Sequence, residues 1–146
     1  MIKILFICHG NICRSPMAEY IMKYLLSEEN PKESVEVSSA GVSDEECGND
    51  IYPPAKRMLA MHNIPYGRHS AHRITDSEFA EADYVFVMDH SNYAALTRRF
   101  GNSEGKIRML SGKDVEDPWY TGDFSSVFDE IFTGCAGVLK KICNYA

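Results

Sequence analysis

The chain has 146 residues, the size of one ordinary domain, and 45% hydrophobic content is enough for a core. Its formal charge of −6, with Lys and Arg scattered along the chain, argues against nucleic acid as the main partner. The first apolar run, Ile2 to Cys8, carries Lys3 and is too short to span a membrane, and the five cysteines show neither a regular framework nor a Cys-x-x-Cys pair. A cytoplasmic protein without a secretory signal, membrane association or structural zinc is therefore expected.

Ile2 to Ile7 is nearly all apolar and rich in branched residues, the pattern of a strand buried on both faces. Cys8 to Ser15 breaks it. Pro16 suits an early helical position, and Met17 to Leu26 returns at helical spacing, with Met17, Ile21, Tyr24 and Leu25 on one side. Val35 to Ser39 reads as a second strand ended by Gly41, and Pro53 to His62 as a helix. Asp76 is expected to cap a short helix through Ala82. Tyr84 to Met88 is a third buried strand, Ser91 to Phe100 a helix stopped by Gly101, and Ile107 to Leu110 a fourth strand. Ser111 to Asp123 reads as one long loop. The last helix starts near Ser125 with an apolar face of Val127, Phe128, Ile131, Phe132, Cys135, Val138, Leu139 and Ile142. Buried strands alternating with helices predict an α/β fold: one domain over 1–146, a parallel sheet with helices on both faces.

The segment Cys8-His9-Gly10-Asn11-Ile12-Cys13-Arg14-Ser15 joins a buried strand to a helix start. In a parallel sheet that junction lies at the carboxyl edge, where ligands of open α/β sheets bind. Free N–H groups and the helix dipole favour an anion there, and a concave turn of amides would form a nest around a phosphate. The same field favours the thiolate of Cys8. Arg14 can grip two phosphate oxygens at once. Gly10 permits backbone conformations closed to other residues, Asn11 tolerates positive φ, and Ser15 can donate its hydroxyl to Cys8. With a thiolate as nucleophile, the leaving oxygen needs a proton from elsewhere. Asp117-Pro118-Trp119-Tyr120 lies in the long loop, where a carboxylic acid could close over the site. Trp119 and Tyr120 read either as loop packing or as one wall of an aromatic slot. Cys8 and Cys13 share one loop, so a protective disulfide between them is expected on oxidation.

The string Cys-x-Gly-Asn-x-Cys-Arg-Ser-Pro from Cys8 to Pro16, followed by Ala18-Glu19, resembles the signature of the low-molecular-weight protein tyrosine phosphatases. Ser39-Ala40-Gly41, Met88-Asp89 and Asp117-Pro118 fall in the same order as in that family. The resemblance implies a flavodoxin-like domain with a four-stranded parallel sheet, no metal and no organic cofactor. It implies hydrolysis of phosphotyrosine on a protein or peptide through phosphocysteine at Cys8, with Arg14 binding phosphate and Asp117 as general acid and base. It implies substrate contacts from His9, Gly10, Asn11, Ile12, Cys13, Ser15, Trp119 and Tyr120. Ser39 and His69 match positions that hydrogen-bond Asn11. His9, His62, His72 and His90 otherwise read as surface residues.

One departure stands out. The family places Trp or Tyr a few residues after Ser-Ala, whereas Val42 to Cys47 has no aromatic and Glu45 stands in the matching place. Tyr52 is the nearest candidate to replace it. Three other functions share parts of the pattern. Arsenate reductases of this fold need a cysteine relay, and no Cys lies between Cys47 and Cys135. Protein arginine phosphatases carry Thr where this chain has Ile12. A non-catalytic anion-binding module would leave Asp117-Pro118 and the thiol without purpose. The sequence carries no signature of oligomeric state.

Overall fold

The computed structural model describes residues 1–31 and 33–145, with the backbone alone for 144 and 145. The strands are β1 (Ile2–Cys8), β2 (Val35–Gly41), β3 (Tyr84–Val87) and β4 (Ile107–Met109), and the helices are α1 (Arg14–Glu29), α2 (Pro53–Met61), α3 (Asp76–Glu81), α4 (His90–Phe100), α5 (Pro118–Thr121) and α6 (Phe124–Tyr145). The strands form one parallel sheet in the order β2-β1-β3-β4. Ile4 to Cys8 are buried because β1 is interior to the sheet and both its faces are covered.

Alternation along β1 divides the core. Ile4, Phe6 and Cys8 join Met17, Ile21, Leu59, Val127 and Ile131 beneath α1, α2 and α6, while Leu5 and Ile7 join Ile74, Val85 and Leu96 beneath α3 and α4. The predicted faces of α1 and α6 are the ones that pack: Met17 and Ile21 are fully buried, and Val127, Phe128, Ile131, Cys135, Leu139 and Ile142 follow at helical spacing. The chain leaves β1 for β2 on one side and β3 on the other, a topological switch whose crevice lies beyond the carboxyl ends of the strands.

Most boundaries shift from the sequence expectation by one or two residues, and four differences have an identifiable setting. α1 starts at Arg14, because the Met17 N–H already bonds Cys13 O at 3.1 Å. The cap of α3 is Thr75 rather than Asp76: Thr75 and Glu78 form a reciprocal capping box. β3 ends at Val87, leaving Met88 buried outside the strand. The stretch Ser111–Asp123 is not a plain loop. Asp117 accepts the Trp119 N–H at 3.0 Å, Pro118 opens α5, and Gly122 closes it at φ 74°.

Candidate active site

The carboxyl edge of the sheet assembles the site from all its strands. Cys8 ends β1, Ser39 to Gly41 end β2, Asp89 follows β3, and Val115 to Tyr120 follow β4. The Cys8–Ser15 turn is pulled tight against the end of β2. Val42 N–H donates to Cys8 O at 3.0 Å and Ser43 N–H to His9 O at 3.1 Å. A Cβ on Gly41 would stand 2.8 Å from His9 O, so only glycine allows that approach. Tyr52 N–H holds Ile12 O at 2.9 Å from the other side.

Asn11 is the pivot of the turn. Its φ of 62° lies in the left-handed region, and it is fully buried. Every polar group of its side chain is used: Nδ2 donates to Ser15 Oγ at 2.8 Å and Ser39 Oγ at 3.1 Å, and Oδ1 accepts the His72 N–H at 3.2 Å. His69 Nε2 donates to Asn11 O at 2.7 Å, which fixes the proton on that ring nitrogen. Ser39 Oγ donates onward to Glu19 Oε1 at 2.6 Å, and Lys23 holds the other carboxylate oxygen at 2.6 Å. A buried network is costly unless satisfied, and this one is closed at each end.

Because Asn11 bonds one lone pair of Ser15 Oγ, the Ser15 proton is free to point at Cys8 Sγ, 3.0 Å away. Asn11 N–H lies 3.3 Å from the same sulfur. The amides of Gly10, Ile12, Cys13, Arg14 and Ser15 have no protein acceptor among the described residues. The residue at the α1 N-cap, Cys13, makes no side-chain cap. The start of a 16-residue helix is thus left open to an anion above Cys8.

Arg14 is 2% exposed and aimed by two partners far away in sequence. Its Nη1 donates to Asp89 Oδ2 at 2.7 Å and to Val115 O at 2.8 Å, while Nη2 lies 3.5 Å from Asp117 Oδ2. Nε and the remaining Nη2 hydrogen keep a side-on fork free for an oxyanion. Burial opposes the guanidinium charge, but Cys8, the Asp89 bond and Asp117 outweigh it and hold the pKa above its ordinary value. Cys13 differs: burial, then the neighbouring Cys8, pushes its thiol well above the usual range, so it stays protonated.

The mouth is a small cleft of about 70 Å³ between the loop, Glu45 and Glu46, and Asp117, Trp119 and Tyr120. Ile12 and Cys13 line it from the loop, and both are buried. Trp119 and Tyr120 are 51% and 82% exposed, so they form a projecting wall rather than loop packing. Tyr52 does not replace the missing opposite wall. It sits behind Trp119, with ring centroids 4.7 Å apart, and also meets Phe124. The facing position belongs to exposed Glu45, which reaches His9 Nε2 at 3.4 Å.

All the expected residues converge: Cys8 to Ser15, Asp117, Trp119 and Tyr120 at the cleft, Ser39 and His69 behind Asn11. Sequence reasoning quoted Asp89 and Glu19 within motifs but gave them, like Glu46, no role in the site. Asp89 had a signal, a carboxylate directly after a buried strand at the carboxyl edge. Glu19 lies four residues after Ser15 on α1, and its burial was the missing clue. All four histidines read as surface residues have partners: His72 engages Glu78 at 2.8 Å besides its backbone bond to Asn11, His62 stacks on Phe128 at 4.0 Å, His90 bonds Asp114, and His9 meets Glu45. Among the described residues no group of His, Cys, Asp and Glu could hold a metal ion, and no helix is long and apolar enough to cross a membrane.

The family model described as low molecular weight phosphotyrosine protein phosphatase matches residues 3–145. The chain is 36% identical to the low molecular weight phosphotyrosine protein phosphatase of Homo sapiens, over 94% of each chain. The crystal structure of the low molecular weight protein tyrosine phosphatase from Streptococcus pyogenes superposes with a TM-score of 0.89 at 34% identity, covering 97% of this chain and 93% of that one. The drosophila arginine phosphatase superposes at 0.87 with 28% identity, covering 96% and 97%.

Proposed function

The chain belongs to the low molecular weight phosphotyrosine protein phosphatase family, and from that premise we propose that it hydrolyses phosphotyrosine on protein substrates through a phosphocysteine at Cys8. As a member of that family it is a phosphoric monoester hydrolase. The observation that carries the mechanism is the arrangement around one sulfur. Cys8 Sγ lies among unpaired amides, a serine hydroxyl and a buried arginine, with a carboxyl group anchored across the cleft. The thiolate attacks phosphorus, and the P–O bond to the tyrosine oxygen breaks as the S–P bond forms. Arg14 and the amides take up charge on the equatorial oxygens. Asp117 protonates the departing phenolate, then as a carboxylate removes a proton from the water that cleaves phosphocysteine. Ser15 stabilises the thiolate as it leaves.

Cys8→Ser tests this. Turnover of an aryl phosphate should vanish while inorganic phosphate still binds, and an acid-quenched wild-type reaction should yield phosphocysteine by mass spectrometry. Substantial hydrolysis by the pure variant overturns the mechanism.

A second substrate reading rests on Glu45 and Glu46, which line the cleft and could pair with a guanidinium, as a phosphoarginine would present. Ile12 and Trp119 weigh the other way. The first is a branched apolar surface inside the loop, and the second is an apolar face beside the acid. The expected order of kcat/KM is phosphotyrosine peptide over phosphoarginine peptide, with Ile12→Thr shifting preference toward phosphoarginine. A wild-type preference for phosphoarginine reverses the substrate and leaves the Cys8 chemistry intact. Peroxide should inactivate the enzyme reversibly by joining Cys8 to Cys13, and Cys8 found as sulfonic acid beside free Cys13 refutes that protection.

A further inference from the structure

A second hollow, a groove of about 630 Å³, lies away from Cys8 between α6 and the β3–β4 side of the sheet. Its size falls within the range of small-molecule pockets. Two glycines of α6 shape it in different ways. A Cβ on Gly134 would stand 2.7 Å from Leu110 Cγ, so that glycine lets the helix touch the sheet edge. Gly137 has no such reason. Nothing lies within 4 Å of its ideal Cβ, although glycine inside a helix costs stability relative to alanine. Its effect is to leave the groove open along Phe86, Leu110 and Val138.

The two ends of the groove differ in charge. Arg108 precedes Leu110 on β4 and Lys141 follows Gly134 on α6, which runs back along the sheet, so both lie toward the amino ends of the strands. Arg108 Nε donates to Gly105 O at 3.2 Å and the guanidinium lies 5.8 Å from the Tyr84 ring centroid, leaving its terminal nitrogens without a protein acceptor among the described residues. Lys141 has no carboxylate partner among those residues. Glu33 shares this end, but its carboxylate is engaged by the Met1 amine at 3.3 Å. Asp129 and Glu130 occupy the other end, roughly 16 Å from Lys141 along the helix; Lys113 engages Glu130 at 3.5 Å, and Asp129 has no cationic partner among the described residues.

We propose that this groove binds a monomeric medium-chain carboxylate amphiphile, its tail against Phe86, Leu110 and Val138 and its carboxylate between Arg108 and Lys141. The acidic far end disfavours the reversed orientation. The inference does not depend on the reaction at Cys8.

Titration calorimetry of the full chain with dodecanoate below its micelle concentration tests it, with dodecyltrimethylammonium for comparison. One dodecanoate should bind per chain and the cation should bind at least about tenfold more weakly. Gly137→Leu, which fills the groove with a better helix former, should weaken dodecanoate about tenfold or more, with an unlowered Tm and unchanged aryl phosphate turnover. Arg108→Gln with Lys141→Gln should erase the preference for the carboxylate. The proposal is overturned by equal binding of both amphiphiles, by unchanged affinity in Gly137→Leu, by no binding, or by sedimentation with phosphatidylglycerol vesicles without one-to-one binding of the monomer.

Discussion

The inner and outer halves of the cleft are built by opposite means. Inside, Asn11 and Ser15 are 0% exposed and Arg14 2%; Asn11 and Arg14 are held by hydrogen bonds from separate elements, and Ser15 by Cys8 and Asn11 of its own turn. At the mouth, Trp119, Tyr120 and Glu45 are exposed and rest on few neighbours. An inner residue cannot change without leaving buried polar groups unpaired, whereas a mouth residue can change at little cost to the fold. The proposed nucleophile and phosphate site thus rest on the interior, while the leaving group would meet the exposed wall as well as Ile12 of the loop.

Asp117 sits where the halves meet, and it should give the largest effect. Asp117→Asn keeps the oxygen that caps α5 but loses the acid, so kcat should fall about 10²–10⁴-fold with stability nearly unchanged. The loss should grow with leaving-group pKa, and equal losses across an aryl phosphate series would remove Asp117 from the reaction.

Next comes the pivot. Asn11→Ala leaves Ser15, Ser39 and His72 without their partner and removes the amide that lets the residue tolerate φ 62°, at a cost of about 2–4 kcal/mol in urea unfolding. Asn11→Gly should recover about 1 kcal/mol of that by relieving the backbone alone. Identical unfolding midpoints for the two variants would show that the left-handed turn stores no strain.

A smaller effect depends on pH. The Cys13 pKa is raised from 9.0 by burial and by Cys8, so the folded protein keeps a proton that the unfolded chain gives up. That stability is fully present below about pH 9 and lost as pH rises further, by up to about 1.4 kcal/mol per pH unit. Cys13→Ala should flatten the fall in urea midpoint between pH 9 and 10.5, and a slope matching wild type would mean that the thiol ionises freely.

The smallest effect belongs to the mouth. Glu45→Trp supplies the absent facing wall and should tighten aryl phosphate binding by about 0.5–1.5 kcal/mol without changing Tm. A drop in Tm as large as that of Asn11→Ala would erase the distinction between the halves.

The sequence was most readable where local rules decide. The apolar run of β1, the strand-to-helix turn and the periodic face of α6 depend on neighbours a few residues apart, and the structure keeps them. The long-range partners were not readable. Arg14 is aimed by Asp89 and by the carbonyl of Val115, and a carbonyl carries no residue-specific signal. His72 supports Asn11 through its backbone N–H, which any residue but proline offers. Tyr52 was placed near the cleft, but whether its ring faced substrate or backed Trp119 depended on how α2 meets the last loop.

The two oxygens of Asp117 are not equivalent. Oδ1 is tied to the first turn of α5 by the Trp119 amide, and Oδ2 alone faces Arg14 and the cleft. The Trp119 N–H holds Oδ1 at 3.0 Å whereas Arg14 Nη2 stands 3.5 Å from Oδ2, so Oδ2 is the less engaged oxygen and the one that would carry the proton of the proposed acid. In the proposed reaction the carboxyl would deliver and collect protons at one address, with the turn of helix behind it as the hinge pin that stops the group from presenting the wrong face.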